Sequence, residues 1–199
     1  MQRPVPVQAT VPSSSEPSAR RRWNRPPAQL ALLPDQSVVR IRTAVPADLD
    51  AVQDLHRRCS PATRYARYHA GKSRLAQADW AHLNNPDRAV CWLVTERGRP
   101  EHVIAMLNLV RHAADTNVVD LAVLVEDPWQ RRGLGSELLH LALRHAERHR
   151  LRKVTATIPS CARRICTGLR AYGFHTTDTS GTHTALVLNL PRPADGVTR

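Results

Sequence analysis

Apolar and polar positions change rhythm several times along the 199 residues, and each change predicts an element. Residues 1–35 show no apolar period. Pro4, Pro6, Pro12, Pro17, Pro26, Pro27 and Pro34 fall too close together for a long helix, and Ser and Arg fill the gaps. The pattern predicts a disordered basic tail over 1–35, one domain over 36–191 and a shorter tail over 192–199. Within the domain, residues 38–42 read as an opening strand. Pro46 suits a helix start, and Leu49, Val52 and Leu55 then recur at helical spacing. Ser60-Pro61 ends that helix. Two short helices are predicted over 63–69 and Gln77–Leu83, the second stopping at Asn84-Asn85-Pro86.

The period then shortens. Ala89–Glu96, 103–110 and Val118–Val125 read as strands joined by a turn over 97–100 and a polar turn over 114–117, which makes an antiparallel meander. A glycine-containing turn leads into a long helix with Leu134, Leu138, Leu139, Ala142, Leu143 and Ala146 on one stripe. A strand over 153–158, a helix over 163–172 that stops at Gly173, and a strand over 184–190 complete the domain. A meander followed by strand–helix units predicts a mixed α/β sheet with flanking helices.

Composition narrows the function classes. The hydrophobic fraction of 42% supports a real core, and no apolar run is long enough to span a bilayer. Arg20, Arg21 and Arg22 precede an apolar stretch too short for a signal peptide, so a cytoplasmic protein without membrane contact is expected. The net charge of +12 is carried almost entirely by Arg, with Lys72 and Lys153 the only lysines. No basic stripe interleaves with aromatics, so nucleic acid is not an expected partner. Cys59, Cys91, Cys161 and Cys166 form no C-x-x-C pair and read as reduced, buried thiols. His145 and His149 lie four apart without the H-E-x-x-H pattern; they read as a solvated helix face, and no metal is expected.

The chemistry concentrates in the stretch from Val123 to Ser136. A strand ends, a turn carries Arg131, Arg132, Gly133 and Gly135, and a long helix begins. A helix N-terminus offers unpaired N–H donors and a partial positive charge to an anion. Glycines let the backbone approach the ligand, and arginines add charge for a polyphosphate. A P-loop is excluded because no Gly-Lys-Ser/Thr occurs in the chain. A Rossmann fingerprint would need a third Gly where Leu138 stands.

Gln130-Arg131-Arg132-Gly133-Leu134-Gly135 resembles the Gln/Arg-x-x-Gly-x-Gly/Ala signature of the GCN5-related N-acetyltransferases (the GNAT family). Residues 120–125 with Trp129-Gln130 look like the family's central strand and its exit, and Ala171-Tyr172-Gly173-Phe174 looks like its closing Leu-Gly-Phe. Residues 60–68 are similar to a segment of the bacterial protein-lysine acetyltransferase branch. The resemblance covers roughly 37–190 and implies a splayed sheet that takes acetyl-CoA as co-substrate. Val123, Leu124 and Val125 would bond the pantetheine arm through their main chain. Gln130, Arg131, Arg132, Gly133, Leu134, Gly135 and Ser136 would form the pyrophosphate site. The implied activity is acetyl transfer to a primary amine, on a protein lysine or a small molecule, by direct attack. Asp120, near the start of that strand, is the base candidate, expected in a partly dry cleft; Glu126, expected to be solvated, is a weaker one. The positions where the family carries Asn and an acid Tyr hold Ala162 and Leu169. That departure motivates an alternative, a non-catalytic acyl-CoA-binding regulatory module. The acceptor, the acyl-chain preference and the oligomeric state, a homodimer included, stay open at this stage.

Overall fold

The computed structural model describes Trp23 and residues 26–191. Most of the predicted basic tail and all of 192–199 lie outside the described residues. The chain runs β1 (Gln29–Leu32), β2 (Val38–Thr43), a 3-10 turn, α1 (Leu49–Arg58), α2 (Pro61–Tyr68), α3 (Gln77–Leu83), β3 (Ala89–Glu96), β4 (Arg99–Arg111) and β5 (Val118–Val125). After a second 3-10 turn come α4 (Leu134–Arg148), β6 (Lys153–Pro159), α5 (Arg163–Ala171), β7 (His175–Ser180) and β8 (His183–Asn189). The strands form one sheet in the order β1-β2-β3-β4-β5-β6-β8-β7. Every pairing is antiparallel except β5–β6, which is parallel. The expected mixed sheet with flanking helices is the fold observed.

Alternation along the strands sends side chains to two cores, one on each face. On one face Val119, Leu121, Val154, Ala156 and Leu186 pack with Leu134, Leu138 and Ala142 of α4 and Leu169 of α5. On the other, Met106, Leu124, Cys91 and Leu93 pack with Val52 and Leu55 of α1 and Trp80 and Leu83 of α3.

Three departures from the sequence pattern have physical causes. Strand β1 falls inside the stretch assigned to the tail; its pairing with β2 is main-chain work that periodicity does not register, and Leu30 and Leu32 stay exposed. Strand β4 begins at Arg99 because Arg97 and Gly98 suffice for the turn, with Gly98 at φ +90°. Strand β7 is almost wholly polar and exposed, an edge strand held by β8.

Trp23, within the predicted tail, is 4% exposed and donates its main-chain N–H to the Pro86 carbonyl. It stacks on His145 at 4.9 Å between ring centroids, and Arg111 covers its ring at 4.5 Å. His145 is therefore buried, not solvated as expected. Burial, then the charges of His149, Arg148 and Arg111, push its pKa down to about 3. The ring is neutral in the folded chain, whereas an unfolded His binds a proton near its ordinary value of 6.5. Its contribution to stability is full above that value and is lost as pH falls from there toward 3. About 2 kcal/mol should disappear by pH 5. Urea unfolding at pH 7.5 and pH 5 checks this, and His145→Phe should remove most of the difference.

Candidate functional site

Strands β5 and β6 pair only over Val118–Asp120 and Lys153–Thr155, although β5 continues to Val125 and β6 to Pro159. Past Asp120 the two strands diverge, and one edge of β5 has no strand partner. The phase of that edge is fixed locally. The Glu126 N–H donates to the Ile104 carbonyl, so 122 and 124 turn their main-chain groups toward β4 as well. Leu121, Val123 and Val125 turn theirs into the opening. Val123 and Val125 thus sit where the resemblance implies an arm, but Leu124 does not. Its main-chain groups face Met106 on β4, and its side chain is core.

The turn after β5 is built to free amides. Arg131 and Gly133 both hold left-handed backbone, φ +61° and +86°. The first bond of α4 runs from the Glu137 N–H to the Gly133 carbonyl. Among the described residues the N–H groups of 131–136 donate to nothing. Left-handed residues alternating with ordinary ones turn consecutive amides toward one concavity, and the α4 dipole adds positive potential there. A Cβ on Gly133 would lie 2.5 Å from Pro34 Cδ, so glycine is demanded by both φ and space. A Cβ on Gly135 meets nothing within 4 Å and would project into the open cradle. Ser136 is exposed on the first turn of α4, and Leu134 anchors the helix in the core at 1% exposure. The turn therefore presents a row of unpaired amides and a helix start, an arrangement that suits an anion.

The side chains divide differently from the expectation. The Arg132 guanidinium pairs with Asp35, donates to Ser37 Oγ at 2.9 Å and lies 4.3 Å over the Trp129 ring. It is committed to the β1–β2 turn through the Asp35 carboxylate. Gln130 donates from its carboxamide to the Val125 carbonyl and to Thr63 Oγ1, each at 3.0 Å, and so is a brace. Arg131 is exposed and has no acidic partner among the described residues, which leaves it as the arginine available to a phosphate. Asp127 completes the brace, accepting from the Ser60 N–H and from the Ser60 and Thr63 hydroxyls, each at 2.8 Å. Partial burial opposes its charge, but these donors hold its carboxyl below the usual carboxylate range. Ser60 also caps α2, so the helix start and the phosphate turn are tied together.

The two carboxylate candidates are not brought together. Six residues of extended strand separate Asp120 from Glu126, about 20 Å. Asp120 sits where β5 and β6 part, and its side chain is 58% exposed, so the expected dry surroundings are absent. His112 Nε2 lies 2.9 Å from its Oδ1, and the Thr155 hydroxyl donates to it. Glu126 is buried, not solvated. It accepts from Arg58 Nε at 2.9 Å, and His102 Nε2 lies 3.3 Å from its other oxygen. That contact explains its place without catalysis.

Of the two departures, Leu169 is buried among α4 and β8 side chains and Ala162 precedes α5. Tyr172 packs edge-on against His140 of α4, away from the helix-α2 face. Cys59 and Cys91 are buried, and burial pushes both thiols up to about 12. Cys161 is exposed, contrary to expectation. Over Asp120's face of the sheet lies α2, with Arg67 bonded to Asn108 Oδ1 at 2.9 Å and Tyr65 and His69 beside His183 of β8. Periodicity gives no signal that α2 meets β8 here, so the approach of Tyr65 and His69 to His183 is visible only in the fold. Among the described residues no group of three or more His, Cys, Asp or Glu could hold a metal ion, and no helix is long and apolar enough to cross a membrane.

A strand pair that opens beside a row of unpaired helix-start amides is the architecture of acyl-CoA-dependent acyltransferases. The acetyltransferase (GNAT) family model matches residues 49–165, more than half of the chain, and the chain belongs to that family. Its fold is similar to the GNAT domain of S. lividans PAT, with a TM-score of 0.74 at 20% identity, covering 82% of this chain and 97% of that one. It is also similar to the PaiA N-acetyltransferase of Thermoplasma acidophilum in complex with coenzyme A, with a TM-score of 0.63 at 13% identity, covering 76% and 99%. An acetyltransferase from Thermus thermophilus matches with a TM-score of 0.60 at 16% identity, covering 85% and 100%. No curated protein matches the chain.

Proposed function

We propose that the protein transfers an acetyl group from acetyl-CoA to a primary amine, on a protein lysine or a small molecule. The observation that carries this reading is the pairing of a free β5 edge with the unpaired amides of 131–136. The amides and Arg131 receive the diphosphate. Val123 and Val125 bond the pantetheine arm along the opening, which directs the thioester toward the fork at Asp120. PaiA, of a similar fold, is in complex with coenzyme A, which supports coenzyme A as the class of ligand.

The reaction then needs little. Asp120 takes a proton from the ammonium, directly or through one water, and the freed amine attacks the thioester carbonyl carbon. A main-chain N–H of the free β5 edge donates to the developing oxyanion. The attacking nitrogen gives up its second proton to water, the C–S bond breaks as the N–C bond holds, and the thiolate is protonated by solvent, since Leu169 offers no acid. The 2.9 Å contact with His112 keeps the Asp120 carboxylate aimed at the fork.

Leu169 in the core favours a second reading, a module that binds acyl-CoA without turning it over. Thiol release from acetyl-CoA, followed with a panel of amines and lysine peptides, separates the two. Acyl-transfer predicts acceptor-dependent release; CoA binding with no release for any acceptor favours the module.

A further inference from the structure

Arg67 carries a guanidinium on the inner side of α2, over Asp120's face of the sheet. Among the described residues it hydrogen-bonds to a neutral amide, Asn108 Oδ1, at 2.9 Å. Its Nε is buried with no partner, and so is Asn108 Nδ2. No carboxylate pairs with it among the described residues. The guanidinium lies 4.7 Å from the Tyr68 ring centroid, but neither Tyr68 nor Cys91, the two groups whose charge would favour it, is an anion, because burial pushes both up to about 12. Burial also lowers the pKa of Arg67, but a guanidinium remains charged in proteins. A desolvated cation without a counter-charge is costly, and such sites persist where a ligand supplies the charge.

The two orphaned groups are both donors. A patch of donors accepts only an acceptor group, and the positive charge selects an anionic one. Asn108 stands opposite Ala122, and Asp120 is the next residue of β5 on that face. Diagonal neighbours of this kind lie about 7 Å apart. The patch is on the β4 side of β5, whereas the thioester path is on the β6 side, so the patch faces the acceptor and not the reacting carbonyl.

We propose that Arg67, with Asn108, is the specificity-determining site for a carboxylate on the amine acceptor, so that the preferred acceptors carry a carboxylate a few bonds from the reacting amine. The inference rests on the acyl-transfer reading and names its substrate class.

The test uses the full chain with acetyl-CoA and two amines that differ by the carboxylate, 4-aminobutyrate and n-butylamine. The expected kcat/KM favours 4-aminobutyrate by about ten- to a hundredfold, mainly through KM. Arg67→Gln should collapse that ratio toward one, and Arg67→Lys should restore part of it. Equal use of the two amines overturns the inference, as does an Arg67→Gln variant that loses the same factor in kcat with both, since that marks an effect on the thioester. If neither amine turns over, binding decides: 4-aminobutyrate, but not n-butylamine, should raise the Tm of the wild type, with and without CoA, and neither should shift Arg67→Gln. No carboxylate-dependent shift overturns the inference while CoA binding, measured in parallel, stands or falls separately.

Discussion

Replacing Gly135 by Leu is expected to abolish CoA binding, by at least about a hundredfold in Kd, while the fold stays intact. The two halves of this expectation have different sources. Leu is a better helix residue than Gly by roughly 0.5–1 kcal/mol, and a Cβ at 135 enters open space. The Tm should therefore hold or rise slightly. The new side chain fills the space into which the amides of 131–136 point, and a diphosphate could reach them only by displacing it. Gly133→Ala makes the contrast. There the Cβ would collide with Pro34 and the left-handed φ of +86° resists a side chain, so that variant should lose about 1–2 kcal/mol of stability as well as affinity. Thermal melts beside a CoA titration distinguish the pair: loss of affinity without loss of stability belongs to Gly135 alone.

Asp120→Asn is expected to lower kcat by about a hundred- to ten-thousandfold, the range for a removed general base. The KM for acetyl-CoA should change little, because the diphosphate is held some way along the strand from the fork. Asn keeps the shape and an acceptor oxygen for the Thr155 hydroxyl, so the parting of β5 from β6 survives. A stable variant with a collapsed kcat and an unchanged CoA affinity assigns Asp120 to the chemistry. A variant with wild-type kcat would remove Asp120 from it. Glu126→Gln should act on stability instead, since Glu126 answers to Arg58 and His102.

Much of the fold was legible in the sequence because the domain's central strands and α4 each carry a clear period. β3, β5, α3 and the start of α4 fall where alternation and helical spacing put them. β7 was not legible, since six polar residues on an edge have no period to read. Trp23 shows the limit more sharply: a lone aromatic among prolines and arginines gives no hint that His145 waits for it. At the site, the turn was readable as an anion cradle from Gly133, Gly135 and the helix that follows. Which arginine stays free was not, because it is Asp35 and Ser37 folding back onto Arg132 that sets the two apart. The same holds for Glu126, which is buried by residues 24 and 68 positions away in the chain. The orphaned donors of Arg67 and Asn108 exist only once α2 lies over β4.

The most direct measurement is calorimetric titration of the full chain with CoA and, in parallel, with pantetheine, which has the arm but no diphosphate. Main-chain amides gripping the diphosphate predict measurable heat and saturation with CoA and little or none with pantetheine. No heat with CoA, or equal affinity for the two, would contradict that claim.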